Sequence, residues 1–455
     1  MRKFFAILAA EFARALSQAS KRGSGSALPG LVAQKVDPMI ITKLSAMLPG
    51  GIILVTGTNG KTTTSKMIAG ILEAAGHKVI YNFSGSNLSR GIASFLIQKT
   101  NFWGTRIEGE IGLFEVDEAT MPEIVSLVTP KLIVVTNLFR DQLDRYGEVD
   151  KTAAIIEKAI QMAPGATLLL NGDDPLVASL GTDEKNTRYF GLSAEYKTLS
   201  HGAIDSRNCL SCGHALDFAP RYFGHLGNWS CPNCHQTRPS LTYSLNNLTL
   251  TTEISKADFS GNGKKATLSV NLPGLYNLYN ALAAASVASF YGIPSESISY
   301  ALSNVSAAFG RMEKVAIGGR SMYLMLVKNP TGFTQSIETL TFDNTKKNIL
   351  IALNDNYADG TDISWIWDAE MEIIKDIAAA ITISGIRAED LAVRLKYAGF
   401  DMKSIIQERN LENALDGALA LLKEGETLYV LPTYTAMLEI RRILQGRGLV
   451  KGYLE

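Results

Sequence analysis

A run of small and hydroxyl-bearing residues around one lysine is the first segment of this sequence whose composition suits chemistry. It reads Thr56-Gly57-Thr58-Asn59-Gly60-Lys61-Thr62-Thr63-Thr64. The surrounding pattern predicts a buried strand over 51–55 and a helix over 62–75. Small residues allow a backbone to curl around a phosphate chain, and the N–H groups of a helix N-terminus bind anions. Lys61 is then placed to reach the β and γ phosphates, and the Thr62 hydroxyl to ligate Mg²⁺.

This segment matches the general phosphate-binding loop only in part. In the general pattern four residues separate a first glycine from the glycine–lysine pair, and that first position is Val55 here. Gly57 would serve inside the loop instead. A chance occurrence in a turn is the alternative, but the flanking strand and helix favour nucleotide binding.

Carboxylates follow the apolar run at 111–116. Glu115 closes this predicted strand, and Asp117 and Glu118 come directly after it. The carboxyl ends of parallel strands face the crevice in which ligands bind. We therefore expect Glu115 to be the Mg²⁺ partner of Thr62, with Glu118 as the second choice. Capping of the next helix is the alternative for Asp117 and Glu118.

A further polar cluster follows the predicted strand at 132–136. Its members are Asn137, Arg140, Asp141, Asp144 and Arg145. The cluster suits two structures, a site for phosphate-bound metal and water or a solvated helix face.

The four cysteines of the chain form two pairs with the spacing of a zinc ribbon. Cys209 and Cys212 are separated by eighteen residues from Cys231 and Cys234. Four thiolates close a tetrahedral zinc site that has no open position for water, so the predicted zinc is structural. A redox role or chance pairing is the alternative. If all four bind zinc, no thiolate remains for a Cys–His glutaminase in this chain, and ammonia must come from another polypeptide or from solution.

The composition is that of a globular protein. Hydrophobic residues make up 46% of the 455 residues and charged residues 19%. Lys plus Arg and Asp plus Glu each number 44, which removes the bulk electrostatic argument for a nucleic-acid partner. With no long apolar stretch or clear signal peptide, we expect a soluble, cytoplasmic protein.

Apolar runs alternate with helical patterns, which predicts an α/β protein with a parallel sheet. The start of the chain resembles a basic amphipathic helix with Phe4, Ile7, Leu8 and Phe12 on its apolar side. Packing against the main body is favoured for this helix, and contact with a membrane surface is the alternative. The expected divisions are 1–48 for the helix and a linker containing 21–26, 49–316 for a nucleotide-binding domain with the cysteine insertion at 193–244, and 317–455 for a second, Rossmann-like α/β domain.

Three acids lie close together in the second domain, after the predicted strand at 348–353. They are Asp355, Asp359 and Asp362, on a loop that contains Gly360. Such a loop is typical both of binding sites and of ordinary helix caps, and the residues alone do not favour either.

Several motifs together resemble Mur ligases and folylpolyglutamate synthetases. In the segment at 273–284, Asn277 and Asn280 match the adenine-side motif, although Tyr276 stands where the family has His. The segment at 309–313 resembles the arginine segment that contacts ATP phosphates. The motifs that resemble the central domain are 56–63, 136–145 and 171–175. The ATP-binding residues that the resemblance implies are Gly57, Thr58, Asn59, Gly60, Lys61, Thr62, Thr63, Asn137, Asn277, Asn280 and Arg311.

Within this family the chain most resembles ligase-like subunits that amidate a cell-wall precursor. The cysteine insertion, the lack of a UDP-sugar domain before the phosphate loop, and the segment at 358–368 carry that resemblance. It implies ATP-dependent amidation of D-isoglutamate in the lipid II stem peptide through an acyl phosphate. It also implies ammonia from a separate glutaminase subunit resembling GatD, and a catalytic acid at Asp362. An amino-acid-adding ligase and a non-enzymatic nucleotide-sensing scaffold are the alternatives.

Overall fold

The computed structural model describes residues 1–19, 27–82, 88–141, 149–181, 185–193, 205–305 and 310–450. The linker expected at 21–26 lies outside the described residues, as do Asp144 and Arg145 of the polar cluster.

The strands and helices alternate along most of the chain. The strands are β1 Gly51–Thr56, β2 Val79–Tyr81, β3 Ile111–Glu115, β4 Leu132–Val135, β5 Thr167–Asn171, β6 Thr187–Leu192, β7 Asp217–Phe223, β8 Leu226–Ser230, β9 Tyr243–Leu250, β10 Ser255–Gly261, β11 Lys264–Val270, β12 Arg311–Ile317, β13 Arg320–Met325, β14 Lys347–Ala352, β15 Ala378–Ser384, β16 Ile405–Gln407 and β17 Thr427–Pro432. The α-helices are α1 Arg2–Ala19, α2 Leu28–Val36, α3 Ile40–Ser45, α4 Lys61–Ala74, α5 Ser89–Gln98, α6 Met121–Leu127, α7 Val149–Gln161, α8 Pro175–Ala178, α9 Leu275–Phe290, α10 Ser295–Ser303, α11 Pro330–Leu340, α12 Glu372–Ile377, α13 Ala388–Tyr397, α14 Leu411–Ala420 and α15 Tyr434–Gly446. Short 3₁₀ helices cover Glu118–Thr120, Ser364–Trp367 and Met402–Ser404.

The larger sheet has nine strands in the described residues, in the order β11-β10-β9-β6-β5-β4-β1-β3-β2. The strands from β2 to β9 in this order pair in parallel, and β9, β10 and β11 pair antiparallel. Along β1, Ile53 and Val55 join one buried cluster, whereas Ile52 and Leu54 join another. Because successive side chains of a strand point to opposite faces, both faces of this sheet are covered. The predicted parallel α/β class is confirmed.

The smaller sheet follows the order β12-β13-β17-β14-β15-β16 over the described residues. Its strands are parallel except for the antiparallel pair β12 and β13. β12 begins at Arg311, so hydrogen bonding of this sheet starts before the domain boundary expected between 316 and 317. The boundary itself stays a prediction.

The cysteine insertion leaves the larger sheet and returns to it. The chain departs after β6 and rejoins the sheet in β9, which pairs in parallel with β6 from Phe190 opposite Tyr243 to Leu192 opposite Leu245. Between these strands, β7 and β8 form a separate two-stranded antiparallel hairpin. The insertion therefore adds a small unit without interrupting the sheet.

Helix α1 packs against α2, α3 and α5 through one face. Ala6, Ile7 and Ala10 on this face are buried. The apolar side expected from the sequence was partly wrong, because Leu8 and Phe12 are 41% and 66% exposed. The two alanines let the helix approach its neighbours closely, so the packed face is the one with the smaller side chains. Among the helices of the described ranges, none combines the length and apolar character needed to span a bilayer.

We predict that neighbouring apolar residues of α1 differ sharply in their contribution to stability. Ile7→Ala should lower the free energy of unfolding by about 2–5 kcal/mol, because a buried side chain leaves a cavity. Leu8→Ala should change it by about 0.5 kcal/mol or less, because this side chain is partly exposed. Urea denaturation, with hydrogen exchange of the α1 amides to detect separate opening of the helix, measures both. Equal losses would contradict the observed orientation of α1.

Candidate active site

The phosphate-type loop lies at the carboxyl end of β1, between β3 and β4. Gly57 and Gly60 have φ angles of 121° and 87°, which residues with a side chain rarely adopt. A Cβ atom at Gly60 would lie 2.2 Å from the Asn280 Oδ1 atom, and one at Gly57 would lie 2.3 Å from the Thr136 Oγ1 atom. Both positions of the loop therefore require glycine, for conformation and for space.

The segment after β4 holds this loop in shape. The Thr58 amide donates to the Asn137 carbonyl oxygen at 2.8 Å. Asn137 also accepts from the Asn59 amide at 2.9 Å and donates to the Asn59 carbonyl at 3.0 Å. The Phe139 amide donates to the Thr58 hydroxyl at 3.0 Å. The loop is thus preorganised by the segment that follows β4.

Lys61, the first residue of α4, is fastened at two points. Its Nζ atom donates to the Gly57 carbonyl at 2.6 Å and to the Glu118 carboxylate at 2.8 Å. Burial acts to lower the pKa of Lys61, but the Glu118 carboxylate together with Glu115 and Asp117 raises the pKa above its usual value. Burial likewise acts to raise the pKa of Glu118, but Lys61, a backbone hydrogen bond and Lys328 together lower the pKa. Glu118, the second choice as a metal ligand, is here the counter-ion of the loop lysine.

Thr62 and Glu115 form the pair expected for magnesium. The Thr62 hydroxyl donates to the Glu115 carboxylate at 3.0 Å. Glu115 is buried at the end of β3, where Asn82 hydrogen-bonds both its amide and its carbonyl at 2.9 and 3.0 Å. A hydroxyl and a carboxylate are hard oxygen ligands of the kind that Mg²⁺ prefers. These residues have the donor set and the position for such an ion.

One cavity gathers most of the residues that the sequence assigns to ATP. Gly57 and Thr62 belong to the loop but do not line the cavity. The predicted residues that line it are Thr58, Asn59, Gly60, Lys61, Thr63, Asn137, Asn277, Asn280 and Arg311.

An aromatic wall of the same cavity was missed in the sequence. Phe139, Phe223, Tyr276 and Tyr279 line it. Phe139, Tyr276 and Tyr279 lie inside motifs that the resemblance already marked, so their positions were detectable. Phe223 belongs to the cysteine insertion, and no local pattern connects it with the loop.

The C-terminal half of the chain closes this cavity from the other side. Asn329 donates to the Asn59 side-chain oxygen at 3.1 Å. Lys328 forms an ion pair with Asp141, and Arg140 donates to Asp368 at 2.6 Å. Two residues of the polar cluster after β4 therefore bridge the two halves of the protein.

The three acids of the second domain have different partners. Asp355 pairs with Arg387 at 2.6 Å. Asp359 is buried, which raises its pKa, and it accepts from the Thr435 amide at 2.7 Å. Asp362 is half-buried and accepts from the Ser364 amide at 2.8 Å, at the start of a 3₁₀ helix. This is a local turn contact with the amide two residues on, and the N-cap position of that helix is Ile363, which makes no side-chain cap hydrogen bond.

The four cysteine sulfur atoms lie within 4.8 Å of one another. Cys209 and Cys234 are 3.5 Å apart between sulfur atoms, as are Cys212 and Cys231. Four sulfurs placed tetrahedrally at zinc would be roughly 3.8 Å apart. The Cys234 amide points to the Cys231 sulfur at 3.5 Å, an N–H donor close to the thiolate cluster. The donor set and its spacing fit a closed tetrahedral metal.

Comparison with known proteins agrees with this geometry. Residues 55–212 match the Mur ligase middle domain, and residues 326–437 match the MurT ligase C-terminal family. A pseudomurein peptide ligase type C from Methanothermus fervidus has a similar fold, with a TM-score of 0.69 and 22% identity over 90% of this chain and 80% of that one. MurF ligase from Thermotoga maritima, solved in complex with ADP, has a TM-score of 0.62 and 14% identity over 90% of this chain and 84% of its own.

Two curated relatives match almost the full length. The lipid II isoglutaminyl synthase (glutamine-hydrolyzing) subunit MurT of Streptococcus pneumoniae is 38% identical over 95% of both chains. The subunit of the same name from Staphylococcus aureus is 35% identical over 96% of both chains. The chain therefore belongs to the family of MurT subunits of lipid II isoglutaminyl synthase.

Proposed function

We propose that this chain catalyses the ATP-dependent amidation of the α-carboxyl group of D-isoglutamate in the lipid II stem peptide. The observation that carries the proposal is the glycine loop with Lys61 held between Gly57 and Glu118, beside the Thr62–Glu115 pair. That arrangement suits transfer of a phosphoryl group. The name of the full-length relatives supplies the acceptor.

The chemistry runs in two steps. The substrate carboxylate attacks the γ-phosphorus of ATP, the bond to the β–γ bridging oxygen breaks, and ADP and an acyl phosphate result. Ammonia then attacks the acyl carbon with its lone pair, the bond to the phosphate oxygen breaks, and nitrogen loses a proton. Activation is needed because a bare carboxylate would have to expel oxide. The protein contributes positioning and charge neutralisation.

The described residues divide this work among them. The amides of the loop and of the α4 N-terminus would bind the phosphates, and Lys61 would neutralise charge on the transferred group. Thr62 and Glu115 would hold Mg²⁺, which supplies further charge neutralisation at the phosphate oxygens. Asn277, Asn280 and Arg311 would contact the rest of the nucleotide.

We assign the four cysteines to a structural zinc ion. Their sulfur spacing supports this, and the set offers no open coordination position for catalysis. Since the chain has four cysteines in all, none is left as a glutaminase nucleophile. Ammonia would come from a separate glutaminase subunit resembling GatD. Asp362 would complete a Cys–His–Asp arrangement with that partner.

Removal of the loop lysine should abolish amidation. We expect Lys61→Ala to lower the rate by about 100-fold or more, because the charge on the transferred phosphoryl group loses its neutralising partner. Mass spectrometry of lipid II after incubation with ATP, glutaminase and glutamine measures the product, and ammonium chloride replaces glutamine in a parallel reaction.

Two variants keep this test decisive. Lys61→Ala alone would leave the buried Glu118 carboxylate without its counter-ion and could unfold the protein. Lys61→Ala/Glu118→Gln removes that charge as well, so loss of amidation in the double variant points to the missing lysine and not to misfolding. Lys396→Ala changes an exposed lysine on α13 and should leave the rate unchanged. Full amidation by Lys61→Ala would contradict the assignment. Ligation of free amino acids without the glutaminase would favour an amino-acid-adding ligase instead.

Asp362→Asn separates catalysis from the local turn contact, because the side-chain oxygen of asparagine can still accept from the Ser364 amide. If Asp362 acts with the glutaminase, the variant should lose most glutamine-dependent amidation and keep ammonium-dependent amidation. Asp401→Asn is the matched control, since Asp401 caps another 3₁₀ helix through the Lys403 amide. Unchanged glutamine-dependent rates in Asp362→Asn would contradict the catalytic role and leave Asp362 only its contact with the Ser364 amide.

We further propose that the outer face of α1 lies on an anionic bilayer, where lipid II resides. Phe5, Leu8, Phe12 and Leu16 recur at helical spacing, and each is more than 40% exposed. Residues 1–22 contain five basic residues and one acidic residue, which complements an anionic surface. At one end of the helix, the Phe4 ring stacks on Trp103 at 5.5 Å, and Trp103 is a residue type that favours the membrane interface.

Vesicle binding tests this surface. Phe5→Ser/Phe12→Ser should reduce co-sedimentation with phosphatidylglycerol vesicles about tenfold or more, and the unmodified chain should bind phosphatidylcholine vesicles more weakly. Tyr300→Ser, at an exposed tyrosine of α10, is the control. Equal vesicle binding by the double variant would refute the proposal. If the double variant instead keeps its vesicle binding and no longer binds the glutaminase subunit, this face of α1 is a protein interface.

A further inference from the structure

The tip of the β7–β8 hairpin reaches into the nucleotide cavity. Gly224 and His225 form the two-residue turn, and Gly224 has a φ of 54°, as hairpin turns require. Phe223, just before the turn, is buried and lines the cavity. Its ring stacks on Phe139 with centroids 6.0 Å apart and meets Tyr279 edge-on at 5.6 Å. The insertion thus supplies one side of the aromatic wall.

His225 connects the same tip to the segment that braces the phosphate loop. Its side chain is fully buried, and its ring centroid lies 4.6 Å from that of Phe139. The Nε2 atom lies 3.3 Å from the Asp174 carboxylate, which also accepts from the Leu138 amide at 2.8 Å. His225 therefore packs directly on Phe139 and is linked to Leu138 through Asp174, next to Asn137 in the chain.

Polar contacts fix the middle of the hairpin to the body. The Gly227 amide donates to the Asp173 carbonyl at 2.9 Å, and the Trp229 indole donates to the Gly172 carbonyl at 3.0 Å. Beyond the hairpin, in the segment that returns to β9, Arg238 donates to the Asp173 carboxylate at 2.6 Å. Because these contacts are directional, the position of the tip depends on the position of the strands behind it.

The cysteine cluster stands at the open end of this hairpin. Asp217 pairs with Ser230 at that end, and Cys231 follows Ser230 directly. An isolated two-stranded hairpin is marginally stable in water, whereas a metal bound by four thiolates contributes folding free energy. A metal at the cysteines would hold the strands together, and the strands carry Phe223 and His225 into the cavity.

We propose that the β7–β8 hairpin is part of the nucleotide site. A metal at the four cysteines next to this hairpin sets nucleotide affinity through Phe223 and His225. Phe223 contacts the base, and His225 is a positioning residue that acts through Phe139 and Leu138. This inference rests on the proposed ATP site and zinc site. It deepens them, because it gives the insertion a part in substrate binding beyond the stability of its own fold.

Isothermal titration calorimetry tests Phe223 and His225. MgATP is titrated into the full chain in complex with its glutaminase. Phe223→Ala and His225→Ala should each raise the dissociation constant of MgATP about tenfold or more. The KM for ATP should rise in parallel while kcat at saturating ATP stays within about threefold. Phe218→Ala, on the same hairpin but outside the cavity lining, is the matched control and should leave affinity unchanged.

A second experiment tests the role of the metal. It measures zinc content by elemental mass spectrometry, MgATP affinity by calorimetry, and folding by circular dichroism. Cys212→Ser, and chelator-treated protein, should lose zinc and bind MgATP at least tenfold more weakly with a folded spectrum. Unchanged MgATP affinity in Phe223→Ala, or in zinc-free protein with a native spectrum, would overturn the inference. If the unmodified complex neither binds MgATP nor forms amide, the proposed function itself has failed.

Discussion

The buried ion pair between Lys61 and Glu118 is the interaction on which the site depends. Both groups are almost removed from water, and an ammonium ion placed there without a counter-ion would lose its proton or force the loop open. Glu118 keeps the lysine charged, and the Gly57 carbonyl oxygen accepts a second hydrogen bond from the ammonium group. The folded structure therefore holds a positive charge in a fixed position beside the loop.

This pair imposes conditions on its surroundings. Lys61 can reach back to Gly57 only because the loop curls tightly, and the curl requires positive φ at Gly57 and Gly60. At Gly60 the loop touches Asn280 of α9, which also accepts from the Thr64 hydroxyl at 3.2 Å. The alanine-rich helix that carries Asn280 packs directly on α4, so helix packing and loop shape depend on each other. A larger side chain at this contact would disturb both.

Local patterns predicted the parts of the site that adjoin each other along the chain. The strand, loop and helix around Lys61 followed from periodicity and small residues, and the carboxylate at the end of β3 followed from the rule for parallel strands. The partner of Glu118 did not follow, because nothing in the sequence indicates which of two nearby acids turns toward a lysine 57 residues earlier. Phe223 was missed for the same reason, since its contact with Phe139 arises only when the insertion folds back. In α1 the larger apolar residues predicted the packed face only in part, because Ile7 is buried with Ala6 and Ala10 whereas Leu8 and Phe12 are exposed.

The motif at 171–175 shows how adjacent residues can join distant parts of a fold. Asp173 accepts from Arg238 of the insertion, from Tyr279 of α9 and from the Leu192 amide at the end of β6. Burial raises the pKa of Asp173 to about 6, while these donors oppose that rise. Its neighbour Asp174 caps α8 and meets the residues that brace the phosphate loop. Consecutive side chains thus bind the insertion on one side and the loop on the other. The resemblance marked this motif, and in the structure the motif connects the insertion with the residues that line the cavity beside the loop.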